Sequence, residues 1–178
     1  MQYFYVIAAI LLRLLPHPLN LTPLGAMFLL SGATFDQKKN SLLMPLAALI
    51  ISDILIVEFL YKGNYAWFSP FTWLGFLSTG VVGWSLRKKF SGGRLLLASF
   101  TGSLLFFLIS NFGVWTEGLL YPYTLHGLAE CYAAGLPFFR NSLLGDFFYA
   151  VVMFGSYRWL NANRPGLKQL FQRAVSVR

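Results

Sequence analysis

The sequence predicts an all-α, polytopic membrane protein, and three observations lead to this fold class. Of the 178 residues, 57% are hydrophobic and only 11% are charged, whereas roughly 25% are charged in a soluble globular protein. Apolar runs of helical length recur along the chain, and the mean hydropathy is +0.61. Basic residues concentrate in alternate connections between these runs. This composition excludes a soluble enzyme and a disordered chain, because so much apolar surface must be buried.

Six transmembrane helices follow from the apolar runs that are separated by charged residues, Pro and Gly. A full span needs roughly 20 mostly apolar residues, and fewer where protein covers part of the helix. The spans are predicted at Gln2–Leu15, Leu21–Phe35, Ser41–Leu60, Trp67–Leu86, Arg94–Trp115 and Pro137–Leu160. The first two are short, which fits little tilt or a broken, partly re-entrant segment. Together they form one predicted domain over residues 1–160.

The basic residues predict the orientation of this bundle, because loops rich in Lys and Arg stay on the cytoplasmic side. With six spans and both termini cytoplasmic, eleven of the 14 Lys and Arg residues lie on that side. Only Arg13, Lys62 and Arg140 lie toward the other face. The predicted topology therefore explains the placement of the basic residues that give the net charge of +8. Nucleic acid is accordingly excluded as a partner. The expected location is a bacterial plasma membrane.

Two stretches outside the spans have the spacing of amphipathic helices. The tail, residues 161–178, is predicted to hold a basic helix on the inner leaflet. Its apolar positions are Leu167, Leu170, Phe171, Ala174 and Val175. On the outer side, residues 124–136 are predicted to form a separate helix that lies over the bundle as a lid. Its apolar positions are Leu125, Leu128, Ala129, Tyr132 and Ala133, with His126 and Glu130 on the other face.

Small residues at intervals of four predict close helix contacts in the fourth and fifth spans. Gly75, Thr79 and Gly83 recur in the fourth span. In the fifth span the pairs are Ala98 with Gly102 and Ser99 with Ser103. The spacing fits a seam within one bundle, and docking to another subunit is the alternative.

Ionisable and polar side chains, whose burial in a bilayer is energetically unfavourable, are concentrated in the outer half of the predicted bundle. Inside a bilayer such groups mark functional or pairing sites. The inner half offers only Ser and Thr, which argues against a continuous polar pore. A cavity that opens to the outside and binds a small molecule is therefore predicted. The candidate ligand-binding residues are Arg13, His17, Asn20, Asp53, Asn111, Trp115, His126, Glu130, Arg140, Asn141 and Asp146.

Aromatic side chains near the outer span ends are candidates for the walls of this cavity, where they would suit a ring-bearing ligand. They are Trp67, Phe68, Phe71, Trp73, Trp115, Tyr121, Tyr123 and Tyr132. The alternative for these aromatics is an interfacial belt, which is common at span ends.

Some candidates also have structural interpretations. Asp53 and Asp146 can pair with Arg13 or Arg140 and simply hold helices together. His17, between two prolines, is a natural turn residue. Cys131 is most simply a small buried hydrophobe, and its alternative role is a ligand for a soft metal centre.

Catalytic motifs are lacking: the sequence contains no Gly-x-Ser-x-Gly, no HExxH and no Walker A loop. Neither a cofactor nor enzymatic activity is predicted. An intramembrane enzyme that uses Asp53 and Asp146 as a carboxylate dyad is the weakest alternative.

Several stretches resemble a bacterial membrane family of unknown function. They are residues 12–26 (LRLLPHPLNLTPLGA), 45–48 (PLAA) leading to Ser52-Asp53, 110–115 (SNFGVW) and 136–146 (LPFFRNSLLGD). That family in turn is similar to the substrate-binding S components of energy-coupling-factor (ECF) vitamin transporters. The resemblance implies a six-helix protein that binds a vitamin or metal on its outer side before the ligand crosses the membrane.

The resemblance also bears on partners. It implies coupling and ATPase subunits, to which many S components dock through an Ala-x-x-x-Ala pattern on the first helix. Here Ala8 and Ala9 are followed four residues later by Leu12 and Arg13, so the pattern is missing. Some cobalamin-binding S components work alone and direct a cysteine toward cobalt, which makes Cys131 of interest.

The expected function is therefore substrate binding of the S-component type, for uptake of a small vitamin-like nutrient. The rival is a non-catalytic accessory subunit of a larger membrane complex, whose seams and aromatic faces would bind protein or pigment.

Overall fold

The computed structural model describes residues 2–15, 20–60, 62 and 70–162, and the regular structure in these ranges is entirely helical. The six α-helices are α1 (Gln2–Arg13), α2 (Leu24–Thr34), α3 (Lys38–Leu55), α4 (Pro70–Gly83), α5 (Gly92–Thr116) and α6 (Leu125–Ala162). A π-helical turn, Ile56–Leu60, follows α3, and a 3₁₀ turn, Trp84–Leu86, follows α4. By length and composition, two helices can cross a membrane, Lys38–Phe59 and Gly92–Thr116. The predicted tail helix lies outside the described residues.

The centre of the fold is α2, which contacts each of the other five α-helices. Every residue from Leu24 to Gly32 is buried, and the Phe28 side chain is 0% exposed. A helix that is apolar all round has no face suited to water. The enclosure of this segment by protein therefore buries its apolar surface on every side.

Charged side chains complement both ends of α2. At the N-terminus, Pro23 provides no side-chain cap, and the Asp146 carboxylate accepts the backbone N–H of Ala26 instead. At the C-terminus, Arg87 Nε donates to the carbonyl oxygen of Gly32 at 2.7 Å. A negative group at the N-terminus and a positive group at the C-terminus both interact favourably with the helix dipole.

The predicted small-residue seam is an intramolecular contact. A Cβ added at Gly32 would overlap the carbonyl oxygen of Gly80, and one added at Gly83 would overlap that of Leu29. The backbones of α2 and α4 are thus in contact at positions where both helices have glycine. On the other side of α4, the Thr79 hydroxyl donates to the carbonyl oxygen of Gly102 in α5 at 3.2 Å.

Two long-range hydrogen bonds define the end of the bundle at which α1 begins. Gln2 Nε2 donates to the carbonyl oxygen of Thr34 at 2.6 Å. The Tyr5 hydroxyl donates to Ser156 Oγ at 3.0 Å. The start of α1 therefore lies beside the ends of α2 and α6, and α1 and α2 run in opposite directions.

The prediction of a separate lid helix over residues 124–136 is wrong, because α6 continues from Leu125 through Pro137 to Ala162. Of the apolar positions assigned to that helix, Leu125 is 86% exposed, whereas Leu128 and Tyr132 are half-buried. Gly127, Cys131 and Gly135 are buried instead. Added Cβ atoms at the two glycines would overlap Pro122 and Asn111, so this part of α6 packs through its small residues.

Large apolar side chains cover much of the outside of the bundle. Phe4 is 62% exposed, Leu97 is 66% exposed and Phe148 is 61% exposed, and these three residues lie on α1, α5 and α6. Soluble monomers rarely expose wide apolar patches. The buried residues, by contrast, include Asp146 and several serines.

Candidate functional site

A cavity of about 360 Å³ lies between the start of α4, the second half of α5 and the first turns of α6. Its volume is within the range of small-molecule sites. The described aromatic walls are Phe71, Phe106, Tyr121 and Phe138. The described polar lining residues are Asn20, Thr72, Ser110, Asn111 and Glu117.

The side of the cavity between α5 and α6 is fixed by local hydrogen bonds. Asn111 Nδ2 donates to the carbonyl oxygen of Phe107 at 2.8 Å, which leaves the amide oxygen close to Gly135. Cys131, which also lines the cavity, donates its Sγ–H to the carbonyl oxygen of Asn111 at 3.3 Å. This thiol is a buried structural group in contact with the cavity.

Asn20 lines the cavity and has an unusual backbone conformation. Its φ of 61° is left-handed, a conformation that Asn tolerates better than most residues. It lies just before α2, whose first turn packs against α6 at Gly25 and Asp146. The connection between α1 and α2 thus contributes a polar residue to the site.

A second, smaller hollow of about 20 Å³ lies next to the cavity. Asn20 and Phe106 line both spaces, so they form the partition between them. The other described lining residues are Thr22, Gly25, Phe76, Ser142 and Asp146. A volume of this size suits a group about as large as one water molecule.

Asp146 is the buried acidic group at the inner side of this hollow, with 8% of its surface exposed. Ser103 Oγ donates to Asp146 Oδ2 at 2.6 Å, and the Ala26 N–H is the second donor. Gly25 allows this close approach, because an added Cβ would overlap the carboxylate and displace it. Within the described ranges Asp146 forms no ion pair, so its two partners are both uncharged.

Arg13 and Asp53 form a separate polar group between α1 and α3. Arg13 Nη2 lies 2.5 Å from Asp53 Oδ1, with side chains 18% and 14% exposed. Arg13 Nη1 also donates to Ser52 Oγ at 2.5 Å, and Trp73 Nε1 donates to Asp53 Oδ2 at 3.2 Å. None of these four residues lines the cavity or the hollow. The pair connects α1, α3 and α4.

Aromatic residues organise the connection between α5 and α6. Trp115 Nε1 donates to the carbonyl oxygen of Pro122 at 3.0 Å, and the Trp115 ring lies 5.8 Å from that of Tyr123. The Tyr123 hydroxyl donates to the carbonyl oxygen of Thr116 at 2.9 Å. These contacts fix the loop that contributes Tyr121 to the cavity.

The structure brings together three of the predicted ligand-binding residues, Asn20, Asn111 and Asp146. The others that it describes lie elsewhere. His126 and Glu130 form an exposed pair at 3.1 Å on the outside of α6. Arg140 is exposed and Asn141 is half-buried on the same helix. The remaining ones are Arg13, Asp53 and Trp115, described above. His17, Trp67 and Phe68 lie outside the described residues.

Several cavity residues were missed by the sequence analysis. Ser110 directly precedes the predicted residue Asn111 on α5, and Glu117 is the residue that follows this helix, two positions after the predicted Trp115. Proximity to these two residues in the sequence could have indicated both. Ser103 was noted only as a seam residue, and nothing in the sequence links it to Asp146. In the part of the chain with described side chains, no three His, Cys, Asp or Glu residues come together as a metal site.

Fold and site together define an all-helical bundle with a ligand-sized cavity near one end of α5. The chain belongs to a family of unknown function, DUF6580, whose family model matches residues 1–169. No curated protein and no solved structure matches this chain.

Proposed function

We propose that the protein is a membrane-embedded binding protein of the S-component type, which captures a small ring-bearing nutrient for uptake. The observation that carries this proposal is the cavity of about 360 Å³, with aromatic walls and several polar groups. Sites with this balance of apolar walls and few oriented polar groups are typical for small molecules. The proposal includes six spans in a bacterial plasma membrane, with both termini cytoplasmic.

Four features support the membrane location and the orientation. Two helices are long and apolar enough to cross a bilayer, and large apolar side chains are exposed on the outside of the bundle. The short α2 is enclosed by protein, so it need not match the bilayer thickness by itself. Arg87, Lys88 and Lys89 follow α4 at the end opposite the cavity, which fits a cytoplasmic location.

A cysteine-labelling experiment is expected to place the two ends on opposite sides of the membrane. Cys131 is the only cysteine, so a Cys131→Ser background accepts single cysteines at Lys88 and at Leu119, both of which are exposed. In intact cells, a membrane-impermeant maleimide should label Leu119→Cys at once and Lys88→Cys only after permeabilisation. Equal labelling of both positions in intact cells would contradict the topology.

A tryptophan that fills the cavity is expected to abolish ligand binding. Ala134 lines the cavity, so in Ala134→Trp the indole competes with the ligand for space. Purified wild-type protein is screened by thermal shift against vitamins and other ring-bearing nutrients. We expect at least one to raise the Tm of the wild type, and the Ala134→Trp variant to lose that shift.

Ala133→Trp is the matched control, because Ala133 is exposed on the neighbouring face of α6 and does not line the cavity. It should retain the ligand-induced shift. If no compound shifts the wild type, or if both variants respond like the wild type, the binding proposal fails. A stoichiometric complex with another membrane assembly, together with no ligand response, would favour the accessory-subunit alternative.

A further inference from the structure

The charges around the cavity have one sign. Glu117 lines the outer cavity and Asp146 lines the inner hollow. No Lys or Arg is among the described residues that line either space. The sequence analysis assigned Arg13 and Arg140 to this site, but Arg13 pairs with Asp53 and Arg140 lies elsewhere on α6. An anionic ligand would therefore meet carboxylates and, among the described lining residues, no Lys or Arg to offset them.

The Asp146 carboxyl group has two hydrogen-bond donors and no charged partner among the described residues. Ser103 Oγ and the backbone N–H of Ala26 donate to it, and both donors are uncharged. A buried charge is costly unless hydrogen bonds and an opposite charge offset the loss of water. The described surroundings supply the hydrogen bonds, and a positively charged ligand group would supply the charge.

The sizes of the two spaces suit a ligand with a small head and a larger body. The hollow of about 20 Å³ beside Asp146 has room for a group as large as one water, which is close to the size of a primary ammonium. Such a group has three N–H donors. The hollow is lined by Asn20, Thr22, Ser142 and Asp146, and the side chain of each carries an oxygen that can accept a hydrogen bond.

The larger cavity suits the body of the same ligand. Phe71, Phe106 and Phe138 supply apolar walls, against which a ring packs well. Phe106 borders both spaces, so its ring lies where the charged head and the apolar body of a ligand would join. An aromatic face near a cation adds a favourable electrostatic contact.

We infer that the ligand is an amine, a ring compound whose primary ammonium enters the hollow beside Asp146 while its ring occupies the outer cavity. Carboxylated and phosphorylated compounds are disfavoured. This inference rests on the proposed function and adds the chemical class of the ligand.

Three matched probes test the sign of the charge on the purified full-length chain in detergent. They are 2-phenylethylamine, 2-phenylethanol and 3-phenylpropionate, which share a ring and differ in the charge of the head group. By calorimetry, the amine is expected to bind at least roughly tenfold more tightly than the alcohol, because a charged hydrogen bond is stronger than a neutral one. The carboxylate is expected not to bind. In Asp146→Asn the preference for the amine over the alcohol should disappear.

Asp146 also accepts the Ala26 N–H at the start of α2, so Asp146→Asn can fail to fold. A second variant tests the inference in that case. Glu117→Lys reverses the charge of an exposed residue at the cavity and should weaken amine binding several-fold. Glu130→Lys is its matched control, because Glu130 is exposed and does not line the cavity. Amine binding by this control should equal that of the wild type.

The outcomes separate this inference from the proposed function. If the alcohol or the carboxylate binds as tightly as the amine, or if Glu117→Lys behaves like Glu130→Lys, the amine assignment is overturned and the cavity remains a binding site. The same holds if the nutrient screen yields an anionic ligand. If neither the probes nor the screen gives any binding, the proposed function fails and the inference fails with it.

Discussion

Replacing Phe28 with alanine is expected to lower the free energy of unfolding by about 3 kcal/mol, since truncation of a buried aromatic side chain leaves a cavity. Phe28 is 0% exposed in the central helix α2. Its ring stacks on that of Phe76 at 5.4 Å between centroids. The loss therefore affects the contact between α2 and α4. Equilibrium denaturation of the purified protein in detergent micelles measures the change.

Phe148→Ala is the matched control, because the same side chain is removed from a position that is 61% exposed on α6. Here we expect a change of about 0.5 kcal/mol or less. Equal losses for the two variants would contradict the central position of α2.

The existence of the six helices was predictable from the sequence, whereas several of their ends were not. Each predicted span overlaps one observed α-helix, because runs of apolar residues between polar connections are a strong signal. The start of α2 lies at Leu24 and not at Leu21, after the left-handed Asn20 and after Pro23. The start of α6 was missed because Pro137, taken as a boundary, lies within the helix.

The sequence predicted the buried face of a helix correctly only where the prediction was based on small residues. The spacing of Gly75, Thr79 and Gly83 indicated a seam, and all three are buried. In the first turns of α6, apolar periodicity selected Leu125, which is exposed. In a chain whose outer surface is also apolar, a large hydrophobic side chain does not distinguish inside from outside. Small residues do, because they allow backbones to approach.

The composition of the site was also only partly predictable, because the sequence does not show which side chains of a helix face the interior. The sequence analysis could not choose between Arg13 and Arg140 as partners for Asp53 and Asp146, since pairing depends on the rotation of each helix. That rotation is set by packing across the whole bundle, as in the contact of Gly25 with Asp146. The result separates the two carboxylates: Asp53 pairs with Arg13, and Asp146 lines the inner hollow.

Removing the carboxylate charge of Asp53 is expected to destabilise the protein by about 2 kcal/mol, a value between those of exposed and fully buried ion pairs. In Asp53→Asn, the Arg13 guanidinium keeps its charge and loses the negative charge that lies 2.5 Å away, and the amide has one acceptor oxygen for the two donors Arg13 and Trp73. Arg13→Lys should also be destabilising, because an ammonium lacks the planar fork that reaches both Asp53 and Ser52. Denaturation in detergent micelles measures both variants.

The double variant Arg13→Met/Asp53→Leu distinguishes a structural pair from a binding pair. If the two charges only connect α1 and α3, removing both should recover most of the lost stability, because neither charge is then left without its partner. Ligand binding should also persist, since neither residue lines the cavity. The exposed pair His126 and Glu130 provides the control, and Glu130→Gln should change neither property. If Asp53→Asn keeps wild-type stability and loses ligand binding, Asp53 belongs to the binding site and the separation of the two carboxylates is wrong.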